Sequence, residues 1–213
     1  MKFFDNIKVF NKNSDIRKEV DSIVGKLPDS DIIAKELLEK LNNKKTKSVF
    51  DKDIKGNYYV YLNDTIYLSD KQNQKDNYER LCVIAHECIH SVQPKLLQNF
   101  NFIISNIEII IFVLYIFLFL FKINNIYFYL IYLALVILSI IPRLILELWA
   151  ITKAPKLSKK YLEEKNIEKD NINKVERVYN FSTKILTPFA LIQMFFFKIV
   201  RLIVITVITF LKF

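Results

Sequence analysis

Glycine is nearly missing from this chain: Gly25 and Gly56 are the only two in 213 residues. Two isolated glycines exclude a glycine-rich phosphate-binding loop, and with it the common nucleotide-binding motifs. They also make tight glycine turns scarce, so helix is expected to dominate. Cysteine is as rare. Cys82 and Cys88 lie six residues apart on one expected helix, on different faces, so no intrahelical disulfide is expected and a reducing compartment fits them. No secretory signal is expected ahead of the first polar segment, because Met1–Asp5 leads straight into charged sequence. What the chain has in abundance is aromatic and aliphatic bulk, with 18 Phe and 11 Tyr, which points to membrane rather than a soluble core. The net charge of +9 invites a nucleic-acid reading. The basic residues flank long apolar runs, however, and membrane attachment explains them more simply, so no nucleic acid is expected as a partner.

Histidine is the third scarcity and the most informative. The only two, His86 and His90, fall in Ala85-His86-Glu87-Cys88-Ile89-His90, an H-E-x-x-H motif. Residues i and i+4 project from the same side of a helix, so two imidazoles can share one metal ion there. The glutamate between them, Glu87, lies where it can take a proton from water at the metal. The competing reading is a core helix on which two histidines fall at this spacing by chance.

The first hundred residues read as a small soluble α+β domain. Ser14 can cap a helix with apolar positions Ile16, Val20, Ile23, Val24 and Leu27, ended by Pro28. Asp29 or Ser30 starts a second helix through Leu41. Tyr58–Leu62 and Thr65–Leu68 are β-rich, with Asn63-Asp64 between them as a hairpin turn. Asp76 or Asn77 is expected to cap the helix that carries the histidines, and Pro94 to stop it. From Phe102 the pattern changes. Residues 102–150 form a transmembrane hairpin, with a short turn at Lys122–Asn125 and a second span running from Ile126 past Pro142 toward Trp149. Residues 151–187 read as a basic, solvated arm beside the membrane. Residues 188–213 form a C-terminal apolar helix interrupted by Lys198 and Arg201. With Thr187, Thr209 and Lys212 these make a polar stripe, with Thr206 off it. This helix either spans the bilayer with its stripe turned to the hairpin or lies in the interface, and length favours the span. The positive-inside rule puts the N-terminal domain and the basic arm in the cytoplasm, as parts of a multi-pass protein of the cell membrane.

Two histidines and water leave zinc one protein ligand short. Cys82 precedes His86 by one turn and drifts too far from His90 to complete a tetrahedron from the same helix. Glu108 sits where the first span enters the membrane. Glu147 is the better candidate, because the hairpin returns the chain to the side it left. Its rise of about 9 Å past Ile141 brings it to headgroup level. The alternative for Glu147 is an i,i+4 ion pair with Arg143 at a helix end beside the interfacial Trp149.

The stretch Ile32–Leu41, then Asn63–Ser69, then Ala85–Gln93 with its A-H-E-x-x-H-x-x-Q pattern, resembles the bacterial membrane-bound neutral zinc metallopeptidases of the YugP type. Glu147-Leu148-Trp149-Ala150 is similar to that family's E-x-x-A segment after the transmembrane hairpin. The layout is more distantly similar to HtpX-like proteases and to the membrane proteases that process prenylated proteins. The likeness covers roughly residues 30–155, and Ile89 stands where such families often carry a glycine. It implies a zincin-like cytoplasmic domain in an α-helical membrane protein, with Zn²⁺ held by His86, His90 and Glu147. Glu87 would be the catalytic base of a peptidase acting on membrane or membrane-proximal proteins. Strand Tyr58–Leu62 or Thr65–Leu68 could offer an edge to an extended substrate, and an ordinary hairpin is the equal alternative. The alternatives are a catalytically inactive metal-binding relative and a membrane scaffold. The oligomeric state is not legible.

Overall fold

A computed structural model describes residues 15–75, 77–123 and 125–210. The expected caps at Ser14 and Asp76 lie outside the described residues, as does Lys212 of the polar stripe. The elements in order are α1 (Asp15–Gly25), α2 (Ser30–Lys40), β1 (Lys47–Asp51), β2 (Tyr58–Val60), β3 (Thr65–Ser69), α3 (Arg80–Val92), α4 (Lys95–Leu120), α5 (Ile126–Glu164) and α6 (Lys169–Phe210). They fold as two compact units. The first takes the chain up to Gln93 together with Trp149–Thr187, and the second takes Pro94–Leu148 with Pro188–Phe213.

The first unit is an α+β body. Its sheet has the order β1-β3-β2, with β1 parallel and β2 antiparallel to the central β3. The hairpin expected around Asn63-Asp64 is β2–β3, but β2 stops at Val60 and the link runs through Tyr61–Asp64. Asp64 makes that link possible. Its φ of 49° is the left-handed turn conformation, and its Oδ1 accepts hydrogen bonds from Thr46 Oγ1 (2.7 Å) and the Tyr59 hydroxyl (2.7 Å). Of the two hairpin strands, Thr65–Ser69 is paired on both sides and β2 lies at the sheet edge. The parallel strand β1 escaped the sequence reading, because Lys47-Ser48-Val49-Phe50-Asp51 carries only two apolar residues.

The core of this unit gathers Val20, Ile23 and Val24 from α1, Ile33, Leu37 and Leu38 from α2, Ile66 and Leu68 from β3, and Leu81, Ile84, Ala85 and Cys88 from α3. It also takes in Ala150, Ala154, Leu157, Tyr161 and Leu162 of α5, and Ile172, Val175, Val178 and Tyr179 of α6. The stretch read as a solvated basic arm therefore supplies much of the core. Its lysines sit on the outer face of amphipathic helices whose inner face is apolar. Two ties fix these helices. Glu36 of α2 accepts from the Tyr161 hydroxyl (2.5 Å) and Lys165 Nζ (2.7 Å), and the Tyr179 hydroxyl donates to the Tyr78 carbonyl (2.7 Å). Burial pushes the Glu36 carboxyl up, but those two bonds outweigh it and hold it below its ordinary value. Arg80, fully buried at the start of α3, donates to the carbonyls of Val24 (2.7 Å), Leu27 (3.4 Å) and Pro28 (3.1 Å). Val24 lies in the last turn of α1 and Leu27 and Pro28 just beyond it, so a buried cation there serves these carbonyls and the negative end of the helix dipole together.

The second unit turns the soluble pattern inside out. Three helices, α4, α5 and α6, are long and apolar enough to cross a membrane. Their Phe, Ile and Leu side chains face outward, as Phe117, Leu120, Ile131, Phe189 and Phe197 do. Inside lie Tyr115, Tyr132, Val136 and Ile205, together with a charged cluster. Glu108 of α4, fully buried, accepts from Arg201 Nη2 (2.6 Å) and Nε (2.9 Å), Lys198 Nζ (3.3 Å) and the Tyr132 hydroxyl (2.8 Å). Lys198 also reaches Ser139 Oγ (2.8 Å), and Thr209 Oγ1 meets the Tyr115 hydroxyl at 2.6 Å. The C-terminal helix thus turns its polar stripe toward the hairpin, the arrangement expected of a span. Thr206, read as off the stripe, still lies 3.5 Å from the Tyr129 hydroxyl.

Candidate metal centre

Helix α3 is held by one face. Leu81, Ile84, Ala85, Cys88 and Ile89 recur at i, i+3, i+4, i+7 and i+8 and are buried in the core. His86 and His90 fall on the flank of that stripe, half-buried. Their Nε2 atoms point at each other, 3.0 Å apart, with the rings nearly perpendicular. Two imidazole nitrogens on one tetrahedral zinc ion stand about 3.3 Å apart, from the usual Zn–N length. The pair is therefore spaced for a shared ion.

Gln93, which sequence reading quoted in the motif without giving it a role, orients the second histidine. Its Oε1 lies 2.8 Å from His90 Nδ1, and its backbone N–H bonds the His90 carbonyl (3.3 Å). An amide oxygen only accepts, so Nδ1 carries the proton and the Nε2 lone pair is left for a metal. Gln93 can do this because it leaves the helix: its backbone is extended, with ψ of 156°, ahead of Pro94. Asn43, also absent from the sequence reading, pins the same helix end. Its Nδ2 donates to Ser91 Oγ (2.9 Å) and to the Ser91 carbonyl (3.3 Å), one of those a helix terminus leaves open. Only the register of the fold could have revealed it, since the two residues are 48 apart.

Glu147 lies on the unbroken helix α5, one turn before Ala150, which is buried in the first unit's core. One ligand atom each from His86, His90 and Glu147 lies within 4.8 Å of the others, so the three could hold a metal ion. Two nitrogens and a carboxylate oxygen are a donor set that suits a divalent metal such as zinc. The residues present fit zinc. The ion pair weighed as the alternative is also there, for Arg143 Nη2 sits 2.7 Å from Glu147 Oε1. A carboxylate has two oxygens, so this ion pair does not exclude a metal at Glu147. Glu87, the residue between the histidines, is 8% exposed.

The other two ligand candidates are elsewhere. Cys82 packs on the core, and burial pushes its thiol up to about 12, so it stays protonated and ligates poorly. Glu108 is committed to Arg201, Lys198 and Tyr132. Cys82 and Cys88 are both free thiols. No protein-family model, curated protein or solved structure matches the chain.

Proposed function

We propose that this protein is a membrane-embedded zinc metallopeptidase that hydrolyses peptide bonds of membrane or membrane-proximal proteins. The observation that carries the reading is the convergence of His86, His90 and Glu147 beside an H-E-x-x-H glutamate. A zinc ion bound there would polarise the scissile carbonyl and lower the pKa of a water beside it to about 7. The chain's own part is to hold and move the proton. Glu87 accepts it from the attacking water and delivers it to the leaving amine, and its low exposure limits competition from bulk water. His90 is kept in one tautomer by Gln93 and cannot take the proton at Nδ1. The basic residues on either side of the hairpin favour the cytoplasmic face for this site, so cytoplasm-facing segments of membrane proteins are its substrate class.

The test is zinc content and peptide cleavage of detergent-purified protein. A single zinc per chain in the wild type, lost in His86→Ala, is expected. Glu87→Gln should keep the zinc and lose roughly 100-fold or more of the cleavage rate. A folded wild type without zinc would overturn the reading. Zinc without cleavage of any peptide would reduce it to a metal-binding membrane protein.

A further inference from the structure

We infer that the open end of the helical hairpin Trp149–Thr187 in the first unit docks anionic lipid headgroups, through Trp149, Lys153 and Lys184. The basic residues of this hairpin fall into two groups. Lys159 pairs with Glu176 (2.8 Å), Lys165 with Glu36 (2.7 Å), and Lys174 with Glu19 (3.2 Å) and Asp170 (3.1 Å). Lys153, Lys156, Lys160, Lys169, Arg177 and Lys184 are exposed and make no ion pair among the described residues. All of these but Lys169, which lies near the tip, share one side. On α5, Trp149, Lys153, Lys156 and Lys160 recur at i, i+4, i+7 and i+11, a stripe about 90° round the helix from Lys159. On α6, Arg177 and Lys184 lie about 90° from Glu176 in the same sense. The short link 165–168 makes the two helices antiparallel, and the Lys159–Glu176 pair sets them face to face. The two stripes therefore point the same way, opposite to the buried Ala150, Ala154, Leu157 and Tyr161.

Charge is graded along the hairpin. Residues 149–162 carry four lysines and no acid, whereas Glu163, Glu164, Glu168 and Asp170 gather at the tip. Both open ends join apolar runs long enough to cross a membrane, so chain connectivity alone puts the basic end next to the bilayer. Lys153 is four residues from one end and Lys184 three from the other, about 5–6 Å along the helix. Lys160 and Arg177 are eleven and ten residues in, about 15–16 Å, beyond a Debye length of about 8–10 Å. Trp149, 39% exposed, stands at the same end and on the same stripe, and tryptophan settles at headgroup depth. Two unpaired ammonium groups beside an indole match an anionic headgroup in charge, while the lysine stems lie along its apolar part.

Trp149 is the only tryptophan in the chain, so its fluorescence reads the site directly. The full chain is reconstituted in bilayers in which either phosphatidylserine or phosphatidylcholine is brominated, and the quenching of Trp149 gives the preference for the anionic lipid. The wild type should prefer it by about 10–30-fold at low salt, since each lysine near an anionic surface is worth about 5-fold. High salt should shrink that preference. Lys153→Gln with Lys184→Gln should bring it close to parity, and Lys153→Arg with Lys184→Arg should keep it. Lys160→Gln with Arg177→Gln removes the same charge further from the membrane and should change it by less than about 2-fold. No preference in the wild type would overturn the inference. Equal losses in the two glutamine pairs would overturn it too, and would mark a diffuse cationic face of the kind an acidic protein segment uses. None of these readouts needs bound zinc, so the result stands apart from the peptidase reading.

Discussion

Glu108 and Glu147 are the glutamates toward either end of the α4–α5 hairpin, and their surroundings could hardly differ more. Glu108 is fully buried with both oxygens occupied by Arg201, Lys198 and Tyr132. Glu147 gives one oxygen to Arg143 and lies within ligand range of two imidazoles. A carboxylate saturated by four donors has no lone pair left for a metal, whereas Glu147 belongs to a group that could hold one. The first ties the helices of the second unit together and the second belongs to a candidate metal site. Both are Glu near the end of an apolar run, and sequence alone does not separate them.

The largest effect that would break this comparison is at Glu108. Removing its charge leaves Lys198 and Arg201 uncompensated among apolar helices, which costs about 3–5 kcal/mol for a buried pair broken on one side. Glu108→Gln should therefore destabilise the membrane unit by that order in detergent unfolding. It should also lower the labelling, in intact cells, of a cysteine placed at the C-terminus by a membrane-impermeant thiol reagent, because a spanning α6 carries that end outside and an α6 that has lost its hold on the hairpin leaves it inside. Zinc content should stay at the wild-type level in whatever fraction remains folded. Unchanged stability would make the cluster incidental, and a selective loss of zinc would return Glu108 to the ligand list.

A smaller effect is expected on the other side. Glu147→Gln keeps the size and the Arg143 neighbourhood but removes the charge, and zinc should weaken strongly while unfolding of the metal-free protein moves little. Gln93→Leu deletes the acceptor that fixes the His90 tautomer, and should cost about 10–100-fold in zinc affinity. Its readout is chelator competition on the detergent-purified protein. If Gln93→Leu binds zinc like the wild type, His90 is oriented by the core alone.

Legibility followed the same divide. The H-E-x-x-H helix and the two hairpins, β2–β3 and α4–α5, are local patterns, written in spacing that a single pass along the chain can read. Glu147 as a third ligand needed the idea of a hairpin returning to its starting side, and it falls in a group with His86 and His90 that could hold a metal ion. Gln93 sat inside the quoted motif, but its role depends on where its amide points after the helix ends. The basic stretch after Trp149 misled because charge count outweighed period: Ala150, Ala154, Leu157 and Tyr161 are spaced for a buried face, yet nine lysines and arginines between 152 and 184 hid it. Asn43, β1 and the Glu108 cluster depend on contacts distant in sequence, and no local pattern announces them.

The smallest prediction returns to the scarcity of glycine and compares the two units at their helix ends. Three helices finish with a left-handed residue that is not glycine: Asn42 (φ 54°), Lys122 (φ 58°) and Asn166 (φ 54°). Each closes the same pair of bonds. In the hairpin turn, for example, Lys122 N–H bonds the Phe119 carbonyl (2.8 Å) and Ile123 N–H the Leu118 carbonyl (2.9 Å), and Asn166 and Ile167 do likewise with Glu163 and Leu162. Asparagine tolerates this conformation, and lysine carries a Cβ strain of about 1 kcal/mol. Lys122→Gly should therefore stabilise the membrane unit by about 1 kcal/mol, less the loss from a more flexible unfolded chain. Asn166→Gly in the first unit should gain only a few tenths. Lys122→Ala is the control: it removes the same charge but keeps the Cβ, so it should gain nothing. If alanine stabilises as much as glycine, the strain is not in the backbone and the benefit comes from losing the lysine.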